Sequence, residues 1–347
     1  MAIFSSVMFS QDFINRLRVP IIIKTKVAVG YDNNYLRLSN QEIENSNVSD
    51  LGIVSTLDSP IIKPTLKFIY SPVIIDNHKT NVVSSISYSY FNQAVNKSYF
   101  ISNLSLELKL RSYSWIKLGI RDIPKYFLRN FHDRDISLID YHECTFASQK
   151  YFASYSFPLQ WIKKTWIKTY VEYVNEYYNS HFTEFDLEKN MVRLDLNHKI
   201  KKKHDMKISI AHGNANNFTH GSMLTTTSLD RSYVFEKIRL AYVYKYDKSN
   251  KIDKFGVSGF LEQRYYDLFS NDEILDEWKF YLDGRVNFWI DWNIVDELGL
   301  KTWYQYRWRD ADSETYGNFV WVEDVKSYSK HEVWLEFSFD FITDILY

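Results

Sequence analysis

Hydrophobic and polar residues alternate with a period of two along most of this chain. Between 100 and 111, for example, Leu104, Leu106 and Leu108 lie on the opposite side of the chain from Ser105 and Glu107. This alternation is typical of β-strands with one apolar and one polar face. It predicts an all-β protein of about fourteen strands, with twelve to sixteen allowed by the error in strand ends. The predicted strands are 21–31, 62–70, 82–91, 100–111, 115–121, 141–157, 164–177, 187–198, 205–213, 232–246, 253–266, 277–291, 297–309 and 329–347.

The predicted connections alternate in length as well. Short ones, rich in Lys, Asn, Ser or Asp, lie near 74–79, 112–114, 158–162, 199–204, 247–252 and 292–296. Longer ones cover 32–60, 128–140, 214–231 and 310–328, whereas 92–98 and 178–184 are exceptions that stay short. Short turns at one end and longer loops at the other are the pattern of a single closed antiparallel transmembrane β-barrel. No long acidic loop that would constrict such a barrel is recognisable in the sequence.

The composition favours a membrane barrel over a soluble sheet. Aromatic residues make up 18% of the 347 residues, yet the mean hydropathy is -0.35. No run approaches the roughly 18 apolar residues that a membrane helix needs. A soluble β-sandwich would also alternate, but many predicted strands exceed the usual five or six residues. Aromatic residues also cluster near strand ends, where interfacial girdles would lie; they are Tyr70, Tyr155, Tyr246, Trp278 and Trp308.

The last predicted strand carries the most informative pattern. Apolar residues occupy every second position from Val333 to Phe341, and the pattern continues to Ile345 and Tyr347. This strand resembles the C-terminal strand of bacterial outer-membrane β-barrel proteins, which ends on an aromatic residue. The resemblance is porin-like but points to no subfamily. It implies an integral outer-membrane protein of a Gram-negative bacterium, with outer-membrane lipid and the barrel-assembly machinery as partners. The assembly signal that it implies consists of Phe337, Phe339, Phe341 and Tyr347.

The first eighteen residues are expected to lie outside the barrel. Residues 2–10, AIFSSVMFS, are apolar and rich in small side chains, and polar Gln11 and Asp12 follow. This pattern is similar to the end of a secretory signal peptide without its basic region. A short disordered or periplasmic segment is the alternative. The predicted division is therefore 1–18 as an N-terminal segment and 19–347 as the barrel.

No catalytic or cofactor-binding motif is found. The chain has no Walker loop, GxGxxG, GxSxG or HExxH, and its single cysteine, Cys144, excludes an intramolecular disulfide. His142 and Glu143 adjoin Cys144, but alternation would turn Glu143 away from the other two. His212 and His220 flank an Asn-rich segment that is expected to be a surface loop. We therefore predict no enzyme, cofactor or metal site, and the net charge of -1 gives no reason to expect nucleic acid.

Charges are sorted between the two predicted faces. A charged side chain that faces lipid costs about 2–4 kcal/mol near the middle of the bilayer, so charged strand residues are expected to point inward. Inward bases outnumber inward acids by roughly two to one; the acids are Glu107, Glu172, Glu176, Asp195, Glu262, Asp283, Asp291, Glu336 and Asp340. The bases that we predict to line the lumen are Lys24, Lys26, Lys63, Lys67, Lys109, Arg111, Lys117, Arg121, Lys168, Arg239, Arg264, Arg285, Lys301, Arg307 and Arg309.

A basic lumen in a low-dielectric wall attracts anions. The sequence therefore predicts a porin-like channel for passive diffusion of small anionic or polar solutes. Two alternatives stay open. The first is a non-conducting barrel that anchors or presents its loops to a partner. The second is a barrel hydrolase, which would need a Ser–His or Asp–His set at the rim. The oligomeric state is not predicted.

Overall fold

The computed structural model describes residues 16–45, 50–52, 56–75, 78–132, 140–219, 231–247, 251–266, 279–295, 298–313 and 326–343. Its strands are β1 Ile21–Asp32, β2 Ser59–Tyr70, β3 Lys79–Phe91, β4 Tyr99–Arg111, β5 Ser114–His132, β6 Tyr141–Pro158, β7 Thr165–Tyr178, β8 Leu187–Ile200, β9 His204–Asn217, β10 Tyr233–Lys245, β11 Ile252–Tyr266, β12 Lys279–Val295, β13 Leu298–Ser313 and β14 Tyr328–Thr343. The helix α1 spans Asn40–Asn45, and two 3-10 helices span Val95–Lys97 and Thr183–Phe185. None of the helices in these ranges is long and apolar enough to cross a membrane.

The sheet closes on itself. Each strand pairs antiparallel with its neighbours in sequence, and β14 pairs with β1, from Ile21 opposite Thr343 to Asp32 opposite Glu332. Closure leaves no strand edge unpaired, which a spanning sheet requires because lipid offers no hydrogen bonds. The predicted all-β, fourteen-stranded antiparallel barrel is therefore confirmed.

The outer face of the barrel is apolar. Ile86, Leu104 and Val192 point outward, and half or more of the surface of each residue is exposed (50%, 51% and 57%). Their neighbours along each strand point to the opposite face, as the pleat requires. Such an exterior on a closed antiparallel barrel is built to face lipid. The protein is an integral β-barrel of an outer membrane.

Both ends of the predicted barrel pair with defined partners. On β14, Phe337, Phe339 and Phe341 lie opposite residues of β1 at the closure. Their role in assembly stays a prediction, and Tyr347 lies outside the described residues. At the other end, the carbonyl oxygens of Arg16 and Leu17 accept hydrogen bonds from the chain around the β2–β3 turn, at 3.1 and 2.8 Å. The expected signal-peptide character of 1–18 stays a prediction, since residues 1–15 are not described.

Two predicted boundaries are wrong for identifiable reasons. β5 runs to His132 rather than to 121, because two register shifts, after Ile123 and after Phe127, interrupt its alternation. A bulge of this kind changes the face of the following residues, so a strict period of two fails there. β9 runs to Asn217, so the segment after His212 begins as strand rather than loop. His220 lies outside the described residues.

The β1–β2 loop folds into the barrel, which the sequence did not reveal. Its residues Tyr35, Leu38 and Leu51 are buried at 5% exposure or less, in one apolar cluster with Ile61 and Trp334 of the wall. Because both wall residues point inward, the loop packs against the inner surface. Burial of these apolar side chains stabilises the docked loop. The barrel therefore has an inward-folded loop at its long-loop end.

Candidate functional site

The strand register fixes which charged side chains share the inner face. All nine predicted inward acids lie there, and each forms an ion pair with a base. Asp195 shows the pattern: it is fully buried, and Arg193 and Lys207 reach its two oxygens at 3.0 and 2.9 Å. The other acids and their bases are Glu107 with Lys117, Glu172 with Lys150, Glu176 with Lys189, Glu262 with Lys237, Asp283 with Arg309, Asp291 with Lys254, Glu336 with Lys26, and Asp340 with Lys24.

The predicted lumen bases divide into two groups. The first group has carboxylate partners and consists of Lys24, Lys26, Lys117, Arg264, Lys301, Arg307 and Arg309. The second group forms no ion pair with any described residue and consists of Lys63, Lys67, Lys109, Arg111, Arg121, Lys168, Arg239 and Arg285. Arg111 ends β4 at a tight turn, and both it and Lys109 are exposed. They therefore lie at the short-turn mouth, away from the other bases.

The structure brings three predicted bases together around one carboxylate. Asp283 of β12 is buried, and Arg309 of β13 holds both of its oxygens, at 3.2 Å from Nε and 2.9 Å from Nη2. Arg264 of β11 and Arg307 of β13 approach the same carboxylate at 3.4 and 3.7 Å. Even with Glu262 beside Arg264, this cluster carries more positive than negative charge.

A cavity of about 540 Å³ adjoins this cluster at the long-loop end. The inward-folded β1–β2 loop and the inner faces of most strands from β5 to β14 line it. Among the described residues its walls hold nine basic and three acidic side chains; the bases are Arg37, Lys97, Arg129, Lys189, Arg231, Arg264, Arg307, Arg309 and Lys326, and the acids are Glu42, Glu176 and Glu184. Arg129 and Lys189 pair with two of these acids, Glu42 and Glu176. Arg264, Arg307 and Arg309 also face the carboxylates Asp283 and Glu262, and the described bases around the cavity still outnumber the described acids.

A tight turn in the β1–β2 loop presents Arg37 to the cavity. The Asn34 side chain accepts the Leu38 N–H and donates to the Leu38 carbonyl, both at 2.8 Å, so it closes the turn around Arg37. Asn34 also donates to the Ser329 carbonyl at 3.2 Å, which ties the turn to β14. Arg37 itself has a φ of 59°, a left-handed conformation that non-glycine residues rarely adopt. Local hydrogen bonds of Asn34 thus maintain a strained arginine at the cavity wall.

Lys97 supplies a second basic side chain, which is buried, from the 3-10 helix Val95–Lys97. Its Nζ donates to the carbonyls of Phe127 and Leu128 at 2.7 and 2.8 Å and lies 4.5 Å from the centre of the Tyr126 ring. Burial, together with the nearby charge of Arg37, lowers the pKa of Lys97 well below its usual range. Burial is the main cause of this shift in pKa, and the charges of Arg37, Lys330 and Arg129 act in the same direction.

Several residues of this site were missed by the sequence reasoning. Arg129 lies beyond the predicted end of β5, so its inward position could not be read from alternation. Arg37 and Lys97 lie in connections, where period two gives no information. A usable signal was present in the Ser39–Glu42 spacing, which is that of a helix capping box. It would have indicated an ordered helix within the β1–β2 loop.

No protein-family model matches the chain, and no curated protein matches it either. Among solved structures, a bacterial polysaccharide outer membrane secretin is similar at 8% identity, with a TM-score of 0.46, over 92% of this chain and 98% of that one. The anion-selective porin from Comamonas acidovorans is similar at 7% identity, with a TM-score of 0.43, over 92% and 98%. The outer membrane channel DcaP of Acinetobacter baumannii is similar at 11% identity, with a TM-score of 0.41, over 92% and 96%. Roles of individual side chains therefore follow from the geometry of this barrel alone.

Proposed function

We propose that this barrel is a channel for the passive diffusion of small anionic solutes across the outer membrane. One observation carries the proposal: every predicted inward acid is neutralised by a base, whereas a set of inward bases has no carboxylate partner among the described residues. The bases of this set that lie within the wall are Lys63, Lys67, Arg121, Lys168, Arg239 and Arg285.

The mechanism is electrostatic and involves no covalent step. Uncompensated positive charge in a low-dielectric wall raises the local concentration of anions and lowers that of cations. The bases of this set come from β2, β5, β7, β10 and β12, so they surround the lumen rather than forming one patch. An anion that enters would pass from one guanidinium or ammonium group to the next without meeting an unpaired carboxylate of the predicted inward set.

The test is charge neutralisation of two bases on different strands. We expect the double variant Arg121→Gln, Arg285→Gln to lose part of the preference for chloride over potassium in a planar bilayer, with little change in pore size. Lys203→Gln is the matched control, because it removes one charge from an exposed turn where Lys203 pairs with Asp247. An unchanged preference in the double variant would contradict the proposed role of the uncompensated bases.

The inward-folded β1–β2 loop favours a second candidate, a barrel that does not conduct. The loop and its apolar cluster occupy part of the lumen at the long-loop end. In this case the barrel would serve as an anchor that presents its loops to a partner. Absence of conductance steps from a correctly folded barrel would support this candidate over the channel.

A further inference from the structure

Arg37 lacks the partner that a strained and enclosed arginine would be expected to have. Its left-handed backbone is unfavourable for a non-glycine residue. Within the described part of the chain, no side chain or carbonyl accepts a hydrogen bond from its guanidinium. Such strain clusters at ligand-binding sites and switch regions, but it also occurs in short turns of this barrel, at Tyr113, Lys164 and Lys201. What distinguishes Arg37 is its position at the cavity wall.

The carboxylates near Arg37 are already engaged by other bases. Asp32 and Asp283 both act on Arg37 electrostatically, but Asp32 accepts from Lys330 at 2.7 Å, and Asp283 is held by Arg309 through both oxygens. The two carboxylates therefore interact with Arg37 electrostatically, but neither forms a direct ion pair with it. Its donors stay available to a molecule in the cavity.

Two further groups at the same wall have unused hydrogen-bonding capacity. The guanidinium of Arg307 lies 3.7 Å from the carboxylate of Asp283, which is too far for a hydrogen bond. The charge of Arg37 also acts on Arg307 electrostatically. Tyr328 is 7% exposed, and its hydroxyl has no hydrogen-bond partner among the described residues. A buried hydroxyl without a hydrogen-bond partner is unfavourable. An oxyanion between these groups would satisfy all three.

We propose that Arg37, Arg307 and the Tyr328 hydroxyl form a binding site for a small organic anion that bears a carboxylate or phosphate group. Two guanidinium groups match the paired oxygens of such an anion, because each presents planar, parallel N–H donors. The cavity of about 540 Å³ falls within the size range of small-molecule sites. This site rests on the proposed channel function, since it names the class of solute that binds on its way through the lumen.

The test measures binding separately from conduction. The full-length barrel, refolded in detergent micelles, is titrated by calorimetry with succinate, with inorganic phosphate, and with neutral succinamide. We expect saturable binding of at least one of the two anions and none of succinamide. Binding of succinate alone assigns a carboxylate, and binding of phosphate alone assigns a phosphate group. Equal binding of succinamide, or no saturable binding of either anion, overturns the site.

Variants identify the groups involved. Tyr328→Phe removes only the hydroxyl, and Arg37→Gln replaces the charged guanidinium by a shorter, neutral amide; each is expected to weaken anion binding, the latter by about tenfold or more. Lys203→Gln, in an exposed turn, is the control and should bind as the unchanged protein does. If both variants fold and bind the anion as tightly as the unchanged protein does, the assignment of these groups to the site is overturned. Anion-selective conductance without saturable binding would support the channel function but refute the binding site. Saturable binding without conductance would support the binding site but refute the channel function.

Discussion

The ion pair between Arg129 and Glu42 is expected to hold the β1–β2 loop inside the barrel. Arg129 of β5 contacts both oxygens of Glu42, each at 2.8 Å, and both side chains are 7% exposed. Glu42 also accepts the N–H of Ser39 at 3.0 Å and donates its own N–H to the Ser39 hydroxyl at 3.1 Å. The Glu42→Gln variant keeps a side-chain oxygen for the Ser39 N–H but removes the charge. It therefore tests the ion pair without abolishing the capping box.

The expected effect is large because the pair is buried. Removing one partner of a buried ion pair costs about 3–5 kcal/mol, chiefly because the other charge stays buried and uncompensated. When the loop leaves the wall, the Arg129 guanidinium regains water and most of this cost disappears. The ratio of docked to undocked loop is therefore expected to fall about 10²-fold to 10³-fold or more. The barrel wall itself should be unaffected.

Amide hydrogen exchange of α1 provides the assay. In Glu42→Gln we expect the α1 amides to exchange faster by about two orders of magnitude, while the amides of β8 and β9 keep their protection. Glu44→Gln is the matched control, because Glu44 lies exposed on the same helix. If α1 in Glu42→Gln stays as protected as in Glu44→Gln, the ion pair does not hold the loop and this reasoning is wrong.

Three other variants test separate features. Arg37→Gly removes the left-handed strain that Arg37→Ala retains, so the glycine variant is expected to be the more stable by about 1 kcal/mol, measured by urea unfolding in micelles. Burial raises the pKa of Asp186 from its ordinary value of 3.8 to about 6. Between these two pH values the Asp186 carboxyl keeps its proton in the folded state but has released it in the unfolded state. The free energy of unfolding that depends on this carboxyl is therefore highest below pH 3.8, and this part of the stability is lost above about pH 6. Asp186→Asn should remove that loss and stabilise the protein by about 1–3 kcal/mol at pH 8 but little at pH 3.5; an equal effect at both pH values would contradict the shift. Gly256→Ala would place a methyl group 2.1 Å from the ring of Trp289, and we expect it to destabilise the barrel by about 1–3 kcal/mol. Gly259→Ala, where the methyl group meets nothing within 4 Å, is its control in the same thermal or urea assay.

Alternation predicted the barrel because its two environments repeat at the same period as the strand. Lipid outside and charge pairs inside select opposite residue types at successive positions, so strands such as β4 and β13 could be read from the chain. The sequence interpretation failed at β5, where two register shifts interrupt the alternation between Ile123 and Arg129, so the predicted strand ended before Arg129. Alternation also could not predict the residues that loops contribute to the candidate site. The position of Arg37 results from hydrogen bonds of Asn34 to backbone groups that include Ser329, and no local pattern encodes that long-range contact.

Pairing was the other property that the sequence left open. A list of inward bases does not say which are neutralised, because pairing depends on side-chain contacts between neighbouring strands. Arg309 and Arg285 have the same alternation signal, yet Arg309 is bound to Asp283 and Arg285 forms no ion pair with a described residue. The sequence allows inward bases to be counted, whereas the structure shows which of them are paired with a carboxylate and which are not.

The zero-current potential of the unmodified protein in a planar bilayer, under a tenfold KCl gradient, shows whether the uncompensated bases give the inner wall a net positive field. If they do, we expect discrete conductance steps with a potential whose sign shows chloride to be the more permeant ion. Steps with the sign for potassium would contradict this expectation, because the inner wall would then act as an anionic surface.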